Sequence, residues 1–555
     1  MTHFQVWAPN AKQVELVLYG PERRINAEPR GEGLWSAPAP PVGTHYAVSL
    51  DGGPPRPDPR SRLQPSGVHG PSQWIDPSYP WTDAAFRPVP LHRGVIYELH
   101  VGTFTRQGTL DAALERLDEL ISLGITHVEL MPLNAFPGRR GWGYDGVDLF
   151  AVHTVYGGID ALRRFVDGAH GKGLSVLLDV VYNHLGPDGN YLSEFAQFFT
   201  DRHETPWGPA IDFSSPGVRR FFLDNAIYWL RDCHLDGLRL DATHAIYDDS
   251  PRHILSELAD EVRALQRPAV LIAENEDNEP RLVMPRNKGG DGLDGFWFDD
   301  LHHAIHAAFT GEQQGYYAKY GSLADIETAL VGKGTIHDRP LGPPDGTRCI
   351  ASIQNHDQIG NRARGERLGQ LTSPARVRLA AALMLTSPFV PLLFEGEEWG
   401  ASSPFQYFTD HENPELAKAV QEGRRAEHAS VGGEFPDPQA AVTMERSVLD
   451  WSERERSPHR EMLAWYRALL RLRHQLPELT DGRRDAMQVS VDHATKTITL
   501  RRGRLTLVGT IGNEVVRIPT PPGRLELSWP EPPRRENAVT LIAAEGCAIW
   551  VNRTT

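Results

Sequence analysis

Acidic, basic and histidine side chains recur at or directly after short apolar runs in the middle of the chain. In chain order these residues are Asp179, Asn183 and His184; Arg239, Asp241 and His244; Glu274; and His356 and Asp357. Apolar runs of this length predict buried parallel strands, whose carboxyl ends meet at one face of a barrel or sheet. We therefore expect these side chains to lie close together at one rim.

Two carboxylates that face one substrate are suited to cleaving a glycosidic bond. One attacks the anomeric carbon, while the other protonates the leaving oxygen and later deprotonates water. Phosphoryl transfer would need a phosphate-binding loop, but the G-x-G-x-x-G at 141–146 follows two arginines rather than a strand. Its Trp142 and Tyr144 suit stacking on a sugar ring or packing in the core. The residue types favour glycoside hydrolysis.

Eight apolar, β-branched runs must position these residues, and amphipathic stretches such as 215–232 separate them. The runs lie at 94–102, 125–133, 174–184, 237–244, 269–275, 295–300, 349–357 and 389–399. Alternation of buried strands with helices over roughly 390 residues predicts a (β/α)₈ barrel with insertions.

Short period-two runs flank this central region. They occupy residues 1–50, before a proline-dense segment at 52–90, and return over 487–555. The fold class is therefore α/β: a central (β/α)₈ TIM barrel with an N-terminal β-sandwich and a C-terminal antiparallel β domain. We assign 1–90 to the first domain, 91–484 to the barrel and 485–555 to the last.

Composition limits the partners and the compartment. The 555 residues carry a formal charge of −15, which argues against binding to nucleic acid or an anionic membrane. Three scattered cysteines, Cys233, Cys349 and Cys547, form no disulfide framework and no zinc-binding pair. No signal peptide or membrane-spanning segment is apparent. We expect a soluble, cytoplasmic protein that works as a monomer without cofactor or metal.

Four segments carry a family resemblance. DVVYNH (179–184), GLRLDATH (237–244), IAEN (272–275) and QNHDQ (354–358) resemble, in order, the four motif regions of the α-amylase family of glycoside hydrolases. Longer segments at 57–72, 190–213, 297–306 and 407–428 are similar to those of the maltooligosyltrehalose trehalohydrolases within that family.

The resemblance implies a retaining hydrolase that cleaves the α-1,4 bond next to the terminal trehalose of maltooligosyltrehalose, with an immunoglobulin-like N-terminal domain. It implies Asp241 as the nucleophile, Glu274 as the general acid/base and Asp357 as the transition-state stabiliser. The implied substrate-binding residues are Trp142, Tyr144, His184, Arg239, His244, Asp299, Asp300, His302, His303, His356 and Gln358.

The cluster formed by Asp299, Asp300, His302, His303 and His306 has three open interpretations. On a helix, Asp299, His302, His303 and His306 share one face, which could hold a metal. The cluster could also be a solvated helix start with acids favoured at its N-terminus. Alternatively, it lines the trehalose side of the cleft, because it follows the sixth strand in a segment similar to the family.

Two other functions stay open on the sequence alone. A branching or debranching enzyme acting on α-1,6 bonds would suit the front β domain and the WGYD segment. A non-catalytic glucan-binding protein on an inactive barrel would be expected to lack Asp241, Glu274 or Asp357, yet all three are present.

Overall fold

A computed structural model describes residues 3–332, 335–343, 345–428 and 435–552. Eight parallel strands close into a barrel, with the last strand paired to the first. They are β1 (Ile96–Leu99), β2 (His127–Leu130), β3 (Ser175–Val180), β4 (Gly237–Leu240), β5 (Val270–Ala273), β6 (Gly295–Trp297), β7 (Cys349–Ala351) and β8 (Val390–Phe394). Each predicted apolar run supplies one strand, so the predicted barrel is confirmed.

The barrel strands are apolar throughout because both of their faces are buried. Side chains such as Leu177, Ile272 and Ile350 fill the interior in one cluster. Leu178 and Leu238, on the outer face, pack into the larger cluster shared with the surrounding helices. This double burial removes the polar alternation expected of a half-exposed strand.

Helices cover the barrel and connect its strands. Their bounds are Val101–Phe104, Leu110–Leu114, Leu117–Leu123, Gly158–Gly171, Leu192–Phe195, Pro216–Ile227, Ile254–Arg263, Asp299–Thr310, Leu323–Val331, His356–Gly360, Leu368–Leu371, Pro374–Thr386, Pro414–Glu427, Ala441–Ser447 and His459–Gln475. Local sequence sets their ends: Ser373 caps Pro374–Thr386 by accepting the N–H of Arg376, and Ser387-Pro388 follows its last residue.

Two antiparallel sheets precede the barrel, as predicted. One contains His3–Trp7, Glu28–Gly31 and Leu34–Pro38, and the other Val14–Leu18, Arg23–Asn26, His45–Leu50 and Ser72–Gln73. Phe4 from the first sheet packs in one cluster with Leu16 and Val48 from the second. The two sheets therefore share a core.

Antiparallel sheets also follow the barrel. Five strands, Met487–Asp492, Thr497–Arg502, Leu505–Thr510, Arg524–Trp529 and Cys547–Val551, form the larger sheet, and Val516–Pro519, Arg534–Glu536 and Val539–Ile542 the smaller. Three two-stranded ribbons lie within the barrel region: Asn134–Ala135 with Asp148–Val152, Phe199–Thr205 with Gly208–Ile211, and Thr335–Ile336 with Arg339–Pro340.

The three cysteines are free thiols, and all of them are buried. Across the described ranges, no helix is both long enough and apolar enough to cross a membrane.

Candidate active site

A cleft of about 830 Å³ opens at the carboxyl ends of the barrel strands. The predicted site residues that line it are Trp142, Tyr144, His184, Asp241, His244, Glu274, Asp299, His303, Asp357 and Gln358. They come from the loops and helices that follow β2 to β7. The strand ends thus bring together residues that are far apart in the sequence.

Arg239 joins the carboxylates beneath the cleft. It lies on β4, is fully buried, and packs its guanidinium over the Trp297 ring at 4.3 Å. Its Nη1 donates to Asp241 Oδ1 at 2.7 Å and to Asp179 Oδ2 at 2.8 Å, and its Nη2 lies 3.2 Å from Glu274 Oε2. A buried cation that contacts all three carboxyl groups fixes their relative positions. These neighbours keep the pKa of Arg239 well above its usual value, although burial opposes them.

Glu274 is held by the backbone that follows β4. Its Oε2 accepts the N–H of Ala242 at 2.6 Å. Ala242 has a φ of 39°, in the left-handed region that side chains other than glycine rarely adopt. This turn directly after Asp241 therefore places an amide donor on Glu274 and ties the two carboxylate-bearing segments together.

Asp357 lies on the opposite wall, at the start of the helix His356–Gly360. Its side chain is 38 % exposed and faces the cleft. Its Oδ1 accepts from Asn361 Nδ2 at 3.2 Å and lies 3.5 Å from His356 Nε2. Asp241, Glu274 and Asp357 thus all border one cavity.

Tyr144 connects two of the buried groups. Its hydroxyl lies 2.6 Å from Asp179 Oδ2 and 2.7 Å from His356 Nε2, and its ring stacks on the His356 ring at 5.2 Å. Burial, counteracted by Arg239, raises the pKa of Asp179 to about 7.

Four of the predicted substrate-binding residues, Arg239, His356, Asp300 and His302, lie behind the cleft lining rather than in it.

The helix Asp299–Thr310 is not a solvated helix start. Asp300 is 0 % exposed, and His302 and His303 are 2 % and 7 % exposed. The residues that the structure describes contain no group of three or more His, Cys, Asp or Glu side chains arranged to bind a metal ion. Asp299 and His303 border the cleft, so of the three interpretations the structure favours the one in which this segment lines the cleft.

Asp300 points away from the cleft and anchors the cleft wall. Its Oδ1 accepts from Arg339 Nη2 and from the Tyr320 hydroxyl, and its Oδ2 accepts from Asn278 Nδ2. Arg339 and Tyr320 themselves line the cleft. The predicted direct contact of Asp300 with substrate is therefore wrong, and Asp300 instead holds Arg339 and Tyr320 at the cleft.

His303 presents unused polar atoms at the cleft. Neither ring nitrogen has a hydrogen-bond partner among the described residues. Burial and the nearby Arg339 lower its pKa to about 3, so the imidazole is neutral and offers one donor and one acceptor. Beside it, burial and the carboxylates of Glu274 and Asp300 raise the pKa of Asp299 to about 8.

Several lining residues were missed by the sequence interpretation. Trp207 is 50 % exposed and stacks on His184 at 4.4 Å, and Tyr316 is 57 % exposed and stacks on His303 at 5.8 Å. Arg339 was also missed. Exposed aromatic residues in the loops after β3 and β6 were the available signal, but the sequence does not fix the paths of those loops.

The chain is similar over nearly its whole length to proteins of known sequence and structure. Residues 97–207 match the family described as the catalytic domain of alpha amylase. A malto-oligosyltrehalose trehalohydrolase from Arthrobacter ramosus is 45 % identical over 544 residues, covering 93 % of this chain and 94 % of that protein. The enzyme of the same name from Saccharolobus solfataricus is 42 % identical over 487 residues, covering 85 % of each. The crystal structure of a putative alpha amylase from Salmonella typhimurium superposes with a TM-score of 0.91 at 37 % identity, covering 99 % of this chain and 97 % of that one.

Proposed function

The chain belongs to the malto-oligosyltrehalose trehalohydrolases of the α-amylase family, and we propose that its cleft hydrolyses the α-1,4 bond next to the terminal trehalose. It is a glycosidase that releases trehalose in trehalose biosynthesis. The products are trehalose and a shortened maltooligosaccharide. The observation that carries the proposal is the convergence of Asp241, Glu274 and Asp357 on one open cleft.

Asp241 is the nucleophile. The Arg239 guanidinium donates to Oδ1 at 2.7 Å and holds this side chain in position at the end of β4. Attack on the anomeric carbon forms a glycosyl ester, and attack of water on that ester restores the carboxylate. Two displacements at one carbon retain its configuration.

Glu274 is the general acid and then the general base. Oε2 is committed to the Ala242 N–H and lies beside Arg239, so Oε1 carries the proton that passes to the leaving oxygen. After the trehalose has left, the same carboxylate deprotonates the incoming water.

Asp357 stabilises the oxocarbenium-like transition state from the facing wall. Its partly exposed carboxylate can accept hydrogen bonds from hydroxyls of the sugar at the cleavage point. Tyr144 provides the aromatic surface beneath that sugar. Negative charge placed where positive charge develops lowers the barrier more than it stabilises bound substrate.

The trehalose unit binds against one wall of the cleft, which is formed by Asp299, His303, Tyr316, Tyr320 and Arg339. Tyr316 offers an exposed ring for stacking, and His303 offers two nitrogens whose hydrogen bonds are unmade. Arg339 has a fixed position because Asp300 and Tyr320 hold its guanidinium. Buried polar groups left unpaired by a wrong sugar discriminate strongly against it.

The enzyme acts as a cytoplasmic monomer. The three buried free thiols suit a reducing compartment. Light scattering of the purified protein measures its molar mass in solution, which should equal that of one chain, and a mass of two chains would contradict the monomer.

Product analysis tests the activity itself. Maltopentaosyltrehalose should yield free trehalose and maltopentaose, whereas maltoheptaose should be a poor substrate that yields no trehalose. Asp241→Asn is the matched control, because an amide cannot form the glycosyl ester. A variant kcat above about one hundredth of wild type, a barrier difference below ~2.7 kcal/mol, would contradict the nucleophile assignment.

A further inference from the structure

Glu98 on β1 binds His356, which follows β7, although β8 separates these two strands in the barrel. Glu98 is 1 % exposed inside the barrel. Its Oε2 accepts the backbone N–H of His356 at 3.1 Å, and its Oε1 lies against His356 Nδ1. His356 begins the helix after β7, and β8 lies between β7 and β1 in the barrel. One side chain therefore fixes both the main chain and the ring of the residue next to Asp357.

The hydrogen bonds around His356 determine how many protons its ring carries. Asp179 Oδ2 accepts from Arg239 Nη1 and from the Tyr144 hydroxyl, so when Asp179 is ionised Tyr144 donates its single proton to Asp179. The Tyr144 oxygen, 2.7 Å from His356 Nε2, must then accept from that nitrogen. Nδ1 faces the Glu98 carboxylate and must donate as well. An imidazole that donates from both nitrogens is a cation.

Charged and titratable groups face His356 from several elements. They are Glu98 on β1, Glu129 on β2, Asp179 on β3, Arg239 on β4, Asp357 on its own helix, and Tyr144 and His100 on loops. Burial lowers the pKa of His356 and Arg239 adds to that effect, but Asp357 and Glu98 outweigh both and raise it to about 9. Burial raises the pKa of Glu129 well above its usual value. Burial also lowers the pKa of His100 to about 4, so His100 is neutral near pH 7.

We propose that Glu98 is a positioning residue, which keeps His356 in its cationic form beside Asp357 and Tyr144 and thereby orders the wall at the cleavage point. This inference rests on the proposed function, since it assumes that Asp357 and Tyr144 contact the sugar there. The Glu98 carboxylate balances the charge of the imidazolium. Nε2 of that ring donates to the Tyr144 oxygen and lies 3.5 Å from Asp357 Oδ1.

The pH dependence of kcat/KM on α-maltosyl fluoride tests this role. Fluoride leaves without a proton from Glu274, so the profile does not report the general acid. We expect the alkaline decline of the wild type near pH 9 to move down by about one pH unit or more in Glu98→Gln, because one of two neighbouring carboxylates is lost. Glu98→Asp keeps the charge and should restore the wild-type position even if kcat falls.

A purely structural role for Glu98 would lower kcat at every pH and leave the alkaline limb in place, and that result would overturn the proposal. The ¹⁵N spectrum of ¹⁵N-histidine-labelled wild type at pH 7.5, with His356→Gln for assignment, gives a second measurement. Two protonated ring nitrogens are expected, and a neutral ring would overturn the proposal even if Glu98→Gln does not fold. Turnover by Asp241→Asn would instead refute the proposed function, while the nitrogen shifts would still report the protonation of His356.

Discussion

Replacing Asp300 by asparagine should weaken recognition of the trehalose unit without changing the residues that cleave the bond. The wild-type carboxylate accepts from Arg339 and Tyr320 on one oxygen and from Asn278 on the other. An amide has only one oxygen, so its NH₂ group must face a donor on one side. Arg339 also loses its buried ionic partner, and its guanidinium is no longer fixed at the cleft wall.

The size of the effect follows from the bond that Arg339 is proposed to make. One charge-assisted hydrogen bond to a sugar hydroxyl contributes ~1.5–3 kcal/mol, which is about 10- to 150-fold in kcat/KM. The loss should appear with maltopentaosyltrehalose and be absent with maltoheptaose. Because the Arg339 side chain is 32 % exposed, water can solvate it, and the cost in folding stability should be about 1–3 kcal/mol rather than the full cost of breaking a buried pair.

The measurement is the ratio of kcat/KM for the two substrates, with thermal unfolding recorded alongside. Asp58→Asn is the matched control: Asp58 is 4 % exposed and accepts from the Tyr46 hydroxyl at 2.7 Å, away from the cleft. It should lower stability and leave the ratio unchanged. A folded Asp300→Asn enzyme with an unchanged ratio would refute the role of Arg339 and leave Trp207 or His303 to select trehalose.

Three further outcomes can be measured. Glu274→Gln should lower kcat/KM on maltopentaosyltrehalose by about 10²–10⁴ yet retain most of kcat/KM on α-maltosyl fluoride; equal losses would contradict the acid role. Exhaustive chelation should leave kcat/KM unchanged, and a loss restored by calcium or zinc would contradict metal independence. Arg362 and His306 lower the pKa of Glu312 to about 2 from 4.5, so its contribution is present above pH 4.5 and is lost as pH falls toward 2. Since Glu312 is 35 % exposed, Glu312→Gln should lower the free energy of unfolding by about 1 kcal/mol at pH 7. If the difference in unfolding free energy between wild type and variant is no smaller at pH 3, this expectation is wrong.

The barrel could be predicted from the sequence because burial on both faces leaves a strong local pattern. Every predicted run contains one strand, and His184, Asp241, Glu274 and Asp357, which follow four of these strands, border the cleft at the expected rim. Period-two alternation predicted β structure over 487–555, but it did not predict that a second, smaller sheet forms there. It pairs segments such as Val516–Pro519 and Val539–Ile542, whose alternation spans only four residues each.

The walls of the cleft could not be predicted in this way. Successive residues of a helix point about 100° apart, so adjacent Asp299 and Asp300 face different surroundings, and only the packed structure shows which one faces the cleft. Arg339 comes from a short ribbon whose position depends on its contact with Asp300, a tertiary interaction with no local pattern. Glu98 did have a signal, a carboxylate inside an apolar barrel strand, but its partner lies 258 residues further along the chain.

Closure of the barrel between β8 and β1 also sets the order in which the protein can mature on the ribosome. Tyr97 and its partner Glu398 are 301 residues apart, so at ~5–20 residues per second about 15–60 s pass between their synthesis. During that time β1 has an unpaired edge toward the absent β8, and such edges template aggregation. A nascent chain released after residue 357 but before residue 390 would contain Asp241, Glu274 and Asp357 but no closed barrel to align them. We expect such fragments to be inactive and to depend on chaperones for solubility.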